Sequence, residues 1–416
     1  VVCQTVILQD EIASCLSNKQ ANIWYFGHYS GLDFNTSPPT VLTDGQANTF
    51  EGVATISDEN GRLLFYTDGR NVWNKNHTLM PNGTGLMGNP SATQSGVIIP
   101  VPEQELLYYI FTVDAAENNH ANGMRYSIVD LGLQSGLGDV IQKNTILMSN
   151  SAEKIGATRH ANQRDIWVIG RERGNNTFKA HLLTSLGISP NVVESQVGEM
   201  NQGYHPGYLK PSADGSRIAN ASCTDDLFQV MDFNTATGEI TNLIALLSST
   251  FDCAYGVEFS PDGKFLYGTS VHVPAKVLQF DLSSNNPQAI LASATILANS
   301  NQLYKYGAVQ LGPDGRIYIT SANQWPTPAI YSHLSVIENP NSFGSSADFQ
   351  EDIIDVSPGR TRLGLPTFMQ SYFEPPTLAI TGDSLLCLGS PTTYSITTPS
   401  VDGEVVEWSV LGNGIS

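Results

Sequence analysis

Tyr255-Gly-Val-Glu-Phe-Ser-Pro-Asp-Gly-Lys-Phe-Leu-Tyr267 and Tyr306-Gly-Ala-Val-Gln-Leu-Gly-Pro-Asp-Gly-Arg-Ile-Tyr318 are two copies of one phrase. Each predicts a strand opened by glycine, a Pro-Asp-Gly turn, and a second strand of aromatic and β-branched residues, which together make a tight hairpin. Looser copies stand at Gly207-Tyr-Leu-Lys-Pro-Ser-Ala-Asp-Gly215 and Gly52-Val-Ala-Thr-Ile-Ser-Asp-Glu-Asn-Gly61. Two more are Gly156-Ala-Thr-Arg-His160 before Asp165-Ile-Trp-Val-Ile169, and Gly96-Val-Ile-Ile99 before Leu107-Tyr-Tyr-Ile-Phe111. The opening glycines, Gly52, Gly96, Gly156, Gly207, Gly256 and Gly307, are 44, 60, 51, 49 and 51 residues apart. A third alternating run follows each hairpin, such as Phe228-Gln-Val-Met-Asp-Phe233 or Val277-Leu-Gln-Phe-Asp-Leu282, and then a weaker fourth. Four short antiparallel strands per unit of about 50 residues is the pattern of a propeller blade.

Six units are complete, and the ends of the chain supply a seventh. Asn22-Ile-Trp-Tyr-Phe-Gly27 reads as a second strand with no first, and Gly364-Leu-Pro-Thr-Phe-Met369 as a first strand with no second. The expectation is an all-β, seven-bladed propeller over residues 1–374, its ring closed by the C-terminal strand, which removes exposed sheet edges. From Pro375-Pro376 the texture changes, and three short strand patterns up to Trp408 predict the beginning of a PKD or Ig-like sandwich over 375–416. Only part of such a domain fits in that length, so the natural chain is expected to continue past Ser416. Likewise Val1, with no Met and no leader before it, is read as the product of a removed signal segment or an internal start.

The 416 residues carry 20 Lys+Arg against 39 Asp+Glu, a formal charge of −19. Such a chain repels phosphate backbones and anionic lipid, so nucleic acid and membrane surfaces are poor partners, and no apolar run is long enough to span a bilayer. The five cysteines show no zinc-finger spacing. They are read as disulfides, with Cys3/Cys15 and Cys223/Cys253 as candidate pairs and a partner for Cys387 expected beyond Ser416, which implies an oxidising, extracellular setting.

The motifs Asn22–Gly27 with Gly31-Leu-Asp-Phe-Asn35, Glu51-Gly-Val-Ala-Thr-Ile-Ser-Asp58, Leu64-Phe-Tyr-Thr-Asp-Gly69, Asn71-Val-Trp-Asn74 and Met80-Pro-Asn-Gly-Thr-Gly85 resemble the N-terminal region of long Bacteroidota surface proteins. The resemblance covers about residues 20–373. It implies a propeller followed by PKD or Ig-like repeats and a type B sorting domain of the type IX secretion system, in proteins linked with adhesion, filaments and gliding motility. No sorting domain is present in this sequence, and the family's propeller offers no catalytic motif to carry over. Asp383-Ser-Leu385 resembles the O-glycosylation sequon of these bacteria.

No nucleophile elbow, phosphate-binding loop, His-Glu-x-x-His pair, EF-hand loop or sialidase Asp box occurs. No catalytic residue, no cofactor and no metal site is therefore expected. A structural Ca²⁺ at Asp348-Phe-Gln-Glu-Asp-Ile-Ile-Asp355 is an open alternative to a charged edge strand. His160 and His205 are the histidines best placed to meet at the channel. The register itself points to a binding site. Two residues before the opening glycines stand Lys154, His205 and Lys305, with Arg362 in the equivalent position before Gly364, predicting a cationic mouth for an acidic glycan. The alternative is ordinary rim salt bridges to Glu51, Asp252 or Glu153. Trp325 and the Asp114–Gly123 insertion are candidate loop contacts, while Trp24, Trp73 and Trp167 read as core. The functional expectation is a non-enzymatic extracellular recognition or adhesion module binding a glycan or a surface protein. The alternatives are a structural, self-associating filament subunit and a polysaccharide lyase or hydrolase.

Overall fold

The computed structural model describes residues 18–198, 206–248, 250–322 and 331–374 in full, and the short segments 3–5, 379–381, 385–387 and 395–397 as backbone. His205, Trp325, Trp408, Cys15 and the Asp383-Ser-Leu385 sequon as a whole lie outside these residues.

The chain divides into two units, Asn18–Glu374 and a smaller one made of Val1–Ser17 with Pro375–Ser416. In the smaller unit Cys3–Thr5 pairs antiparallel with Leu385–Cys387, setting the Cys3 backbone opposite that of Cys387, and Ala379–Thr381 pairs with Ser395–Thr397.

The larger unit is a seven-bladed β-propeller. Among the described residues it holds six four-stranded antiparallel sheets and one three-stranded sheet, each in simple sequential order. Blade 1 is Ile23–Phe26, Ser30–Asp33 and Thr40–Leu42. Blades 2 to 7 begin with the first strands Ala54–Ser57, Gly96–Val101, Ile155–Arg159, Leu209–Pro211, Ala254–Phe259 and Val309–Leu311. They end with the fourth strands Leu79–Thr84, Asp139–Met148, Gly187–Gln196, Ile240–Leu247, Thr295–Ser300 and Phe349–Asp355. Apolar side chains fill the space between sheets, and Trp24, Trp73 and Trp167 are buried there.

The hairpin phrase folds the same way in blades 5, 6 and 7. Asp214, Asp262 and Asp314 each accept a hydrogen bond from the backbone N–H two residues on, at 3.0, 3.1 and 3.2 Å. Gly215, Gly263 and Gly315 then take φ of 72°, 69° and 78°, the left-handed region that only glycine enters without strain. The opening glycines serve a different need. A Cβ on Gly52 would lie 2.0 Å from the Ser95 amide nitrogen, and one on Gly364 would lie 1.8 Å from the Glu51 carbonyl oxygen. Neighbouring blades approach backbone to backbone at these points.

The segment expected as the closing strand, Gly364–Met369, forms no ladder among the described residues. It makes one parallel bridge, Val53 with Pro366, and the neighbouring His28 bridges Arg360. The Leu363 N–H donates to the Phe50 carbonyl at 2.9 Å, and the Leu363 carbonyl accepts from the Ala308 N–H at 2.8 Å. Pro366 has no N–H to give, which breaks the alternation a ladder requires.

Where first strands meet, side chains join the blades. Gln94 donates to the carbonyls of Ile155 and Leu209 at 2.8 and 3.2 Å and accepts from both their N–H groups, at 3.3 and 2.8 Å. Lys210, Glu258 and Gln310 each stand four residues before the turn aspartate of their own blade. The buried Lys210 ammonium donates to Glu258 Oε2 at 2.7 Å, Gln310 Oε1 at 2.6 Å and the Val309 carbonyl at 2.6 Å. Replacing Lys210 by Met strands the Glu258 carboxylate in the interior and is expected to lower unfolding free energy by about 3–5 kcal/mol. The K210M/E258L pair should recover much of that loss in urea unfolding. Equal stability for the K210M variant and the wild type would show that the clasp contributes nothing.

Candidate functional site

The chain entries into the first strands converge on a cavity of about 240 Å³. Phe50 and Glu51 come from the entry to blade 2, Glu153 from that to blade 4, and Pro206 from that to blade 5. Tyr255 comes from the first strand of blade 6, Tyr304 from the approach to blade 7, and Leu363 from the segment that follows blade 7. Cys223, Cys253 and His272 form one wall, and Ser91, Ala116 and Glu117 another.

This cavity is lined by carboxyls. Among the described residues that line it there is no Lys or Arg. Glu51 is 9% exposed and accepts a hydrogen bond from the Tyr255 hydroxyl at 2.9 Å. Glu153 is 3% exposed, and Glu117 accepts from Ser91 Oγ at 2.7 Å. Burial, followed by the negative charge of Glu117, pushes the Glu153 carboxyl up to about 8, against the weaker opposing effects of Lys154 and the Ala116 backbone. Burial and then Glu153 hold the Glu51 carboxyl well above the usual range. The Tyr255 hydroxyl is raised for the same reasons, burial first and Glu51 second. With its proton retained to about pH 8, the Glu153 carboxyl can donate as well as accept at neutral pH, beside aromatic faces from Phe50, Tyr255 and Tyr304.

Of the expected cationic mouth, the described positions Lys154, Lys305 and Arg362 do not line this cavity. Lys154 is fully buried, donating to Asn220 Oδ1 at 3.0 Å and the Ala221 carbonyl at 2.6 Å, and burial followed by nearby Arg171 lowers its affinity for the proton. Lys305 reaches Asp352 at 2.5 Å and Glu351 at 3.6 Å on the fourth strand of its own blade and lies over the Tyr331 ring. Arg362 is half-buried, with its guanidinium 5.9 Å from the Phe50 ring centroid, and its charged neighbour is Arg360. The anticipated counter-ions are likewise engaged elsewhere: Asp252 pairs with His272 at 3.3 Å, and Glu51 with Tyr255. His160 is held by backbone, its Nδ1 accepting from the Asn162 N–H at 2.9 Å and its Nε2 lying 3.1 Å from the Ala236 carbonyl.

Of the predicted loop contacts, the Asp114–Gly123 insertion does reach the site. Asp114 Oδ2 accepts from Asn118 and from the Asn122 N–H, folding the insertion so that Ala116 and Glu117 face the cavity. Cys223 and Cys253 are joined by a disulfide, as the sequence pairing anticipates. Glu51 and Glu153 stand beside register positions in the sequence, Glu51 directly after Phe50 and Glu153 directly before Lys154, and no pattern in the sequence marks them further.

No family model and no curated protein matches the chain. Among solved structures it is similar to a Bacteroides uniformis protein named "putative 6-phosphogluconolactonase", with TM-score 0.51 and 12% identity over 82% of this chain and 98% of that one. A Bacteroides fragilis protein of the same name gives TM-score 0.50 and 13% identity over 84% of this chain and 99% of that one. At such identity the likeness shows the propeller fold and nothing finer.

The Glu153 shift sets a pH dependence. Its folded-state pKa lies above the unfolded value, so the folded protein holds the extra proton between about pH 4.5 and 8, and this contribution to stability is lost as pH rises through that window. The E153Q variant, which has no proton to lose, is expected to gain on the wild type by on the order of a few kcal/mol at pH 9 and by little at pH 5. Urea midpoints for both proteins across that range decide it, and a pH-independent difference would remove the assignment.

Proposed function

We propose that this propeller is a non-enzymatic recognition module displayed outside the cell, and that its ligand is a neutral or amine-bearing glycan held in the carboxyl-lined cavity. The observation that carries this reading is the convergence of Glu51, Glu117 and Glu153 with Phe50, Tyr255 and Tyr304 on one cavity. Carboxyls accept from sugar hydroxyls and ammonium groups, and aromatic faces stack on the apolar side of a sugar ring. The cavity is below the about 300–1,000 Å³ of a drug-sized site, so it suits a single ring or a chain end. An acidic sugar would meet the negative charge of Glu117 there. So would the phosphate of a 6-phosphogluconolactone, which disfavours the activity named for the two similar structures. The Cys223–Cys253 disulfide supports an oxidising compartment.

In the same reading, residues 360–367 close the ring, which the bonds of Leu363 to Phe50 and Ala308 support, and Pro375 opens a PKD or Ig-like repeat of a bacterial surface protein. Deleting residues 361–373 should lower the melting temperature by 10 °C or more on an order-of-magnitude basis; an unchanged transition would discard the closure.

The function is tested with the 416-residue chain on an array of neutral, amino and acidic glycans. Retention of neutral or amino glycans is expected, weakened at least about tenfold, or 1.4 kcal/mol, in F50A and E117Q. Binding of acidic glycans alone, or of none, would overturn it. Release of shortened or unsaturated products from a bound polymer would make the protein an enzyme instead.

A further inference from the structure

One wall of the cavity holds a second constellation. The sulfurs of Cys223 and Cys253 and a ring nitrogen of His272 all lie within 4.8 Å of one another. Cys223 follows the second strand of blade 5, Arg217–Ser222, while Cys253 directly precedes the first strand of blade 6 and His272 follows its second, Phe265–Ser270. Backbone hydrogen bonds fix this arrangement: the Val271 N–H donates to the Cys253 carbonyl at 3.2 Å, and the Cys223 N–H to the Pro206 carbonyl at 3.0 Å. The Cys253 N–H donates to Asp226 Oδ1 at 2.6 Å. His272 Nδ1 lies 3.3 Å from Asp252 Oδ1.

We propose that Cys223, Cys253 and His272 form a redox-gated site for a thiophilic divalent cation such as Zn²⁺. Oxidised, the two sulfurs are bonded to each other and the site is shut. A dithiol reductant supplies two electrons and two protons, cleaving the S–S bond and itself becoming a disulfide. Zn²⁺ then displaces both thiol protons to solvent and is held by two thiolates and one imidazole, a donor set suited to tetrahedral zinc. Asp252 on Nδ1 leaves Nε2 for the ion and orients the ring, the usual arrangement of a carboxylate behind a metal-bound histidine. Two thiolates neutralise the dication, and the surrounding Asp225, Asp226 and Asp252 in a chain of charge −19 favour its approach. All three residues line the cavity, so an ion held by them would border it. The spacing of the three residues in sequence gives no hint of this; only the meeting of blades 5 and 6 does.

The site is read independently of any glycan. The full chain is reduced with a dithiol, freed of it anaerobically, and titrated with Co²⁺ as the spectroscopic probe and with Zn²⁺ in competition. The reduced wild type should take up one equivalent, with thiolate-to-cobalt absorption and the strong visible bands of a tetrahedral ion, and the oxidised protein should show neither. H272A should bind at least tenfold more weakly, and C223S/C253S should lose the thiolate band. No uptake by the reduced wild type would overturn the proposal. So would a C223S/C253S variant that binds as the wild type does, since the remaining cysteines would then hold the ion, or an H272A variant with unchanged affinity and spectrum. If reduction alone melts the fold, Zn²⁺ must restore the melting transition, and its failure to do so also overturns the site.

Discussion

The Lys210 ammonium, fully enclosed at the meeting of blades 5, 6 and 7, is the interaction on which the inner geometry turns. Adjacent blades splay apart, so their first strands cannot continue one another's ladder, and side chains must carry the hydrogen bonds across. An ammonium removed from water loses several kcal/mol of solvation, and only well-placed acceptors offset that. Here all three of its protons find one: a carboxylate, an amide oxygen and a backbone carbonyl. Glu258 in turn accepts from the N–H groups of Phe259 and Leu311, so the charge pair leaves no open valence. A shift of one residue in any of the three strands would leave a buried charge alone. The pair therefore adds less to net stability than to the choice of register. Gln94 performs the same service for blades 3, 4 and 5 without a charge.

The blades were legible because the hairpin depends on local chemistry alone. An aspartate whose carboxylate caps its own turn, followed by a glycine at positive φ, folds the same way wherever it occurs, and sequence repetition exposed it. The seventh blade was legible only in part: Ile23–Phe26 is a strand as expected, but Pro366 limits its presumed partner to isolated bonds. Where the described basic residues of the expected mouth go was not legible, for a reason the register could not show. Counting back from an opening glycine lands in a connecting loop, and loops of different length bring equivalent positions in at different angles. Tyr304, at φ of 58°, turns the chain so that Lys305 swings to the fourth strand of its blade. Lys154 instead turns inward, where Asn220 and the Ala221 carbonyl await it. Glu153, one of the assigned counter-ions and the neighbour of Lys154, is left lining the cavity.

Two kinds of buried carboxyl separate what holds the fold from what is available to a ligand. Glu258 has an ammonium and two backbone N–H groups; nothing more could bind it. Glu51 has one tyrosine hydroxyl, and Glu153 sits near Glu117 with its proton retained to about pH 8. Burial without matching partners is unfavourable for the fold, and such groups concentrate where a protein meets a ligand. That Glu51, Glu117 and Glu153 enter from three different blades strengthens the point, because no single local turn requires them together.

The disulfide belongs to the same logic. Blades 5 and 6 are already joined through Lys210 and Glu258 at the turn end of their first strands, and Cys223 and Cys253 join them again at the opposite, cavity end. Closing a loop of 30 residues is worth about 3–4 kcal/mol in the chain-entropy account, but here the loop is largely the third and fourth strands of blade 5, Leu227–Phe233 and Ile240–Leu247, already paired in that blade's sheet. The gain falls instead on the short stretches outside any strand, those that carry Pro206, Cys253 and the approach to Tyr255, which are the residues lining the cavity wall. A covalent bond placed there holds the site more than it holds the fold, and whatever opens that bond alters the wall that a ligand would meet.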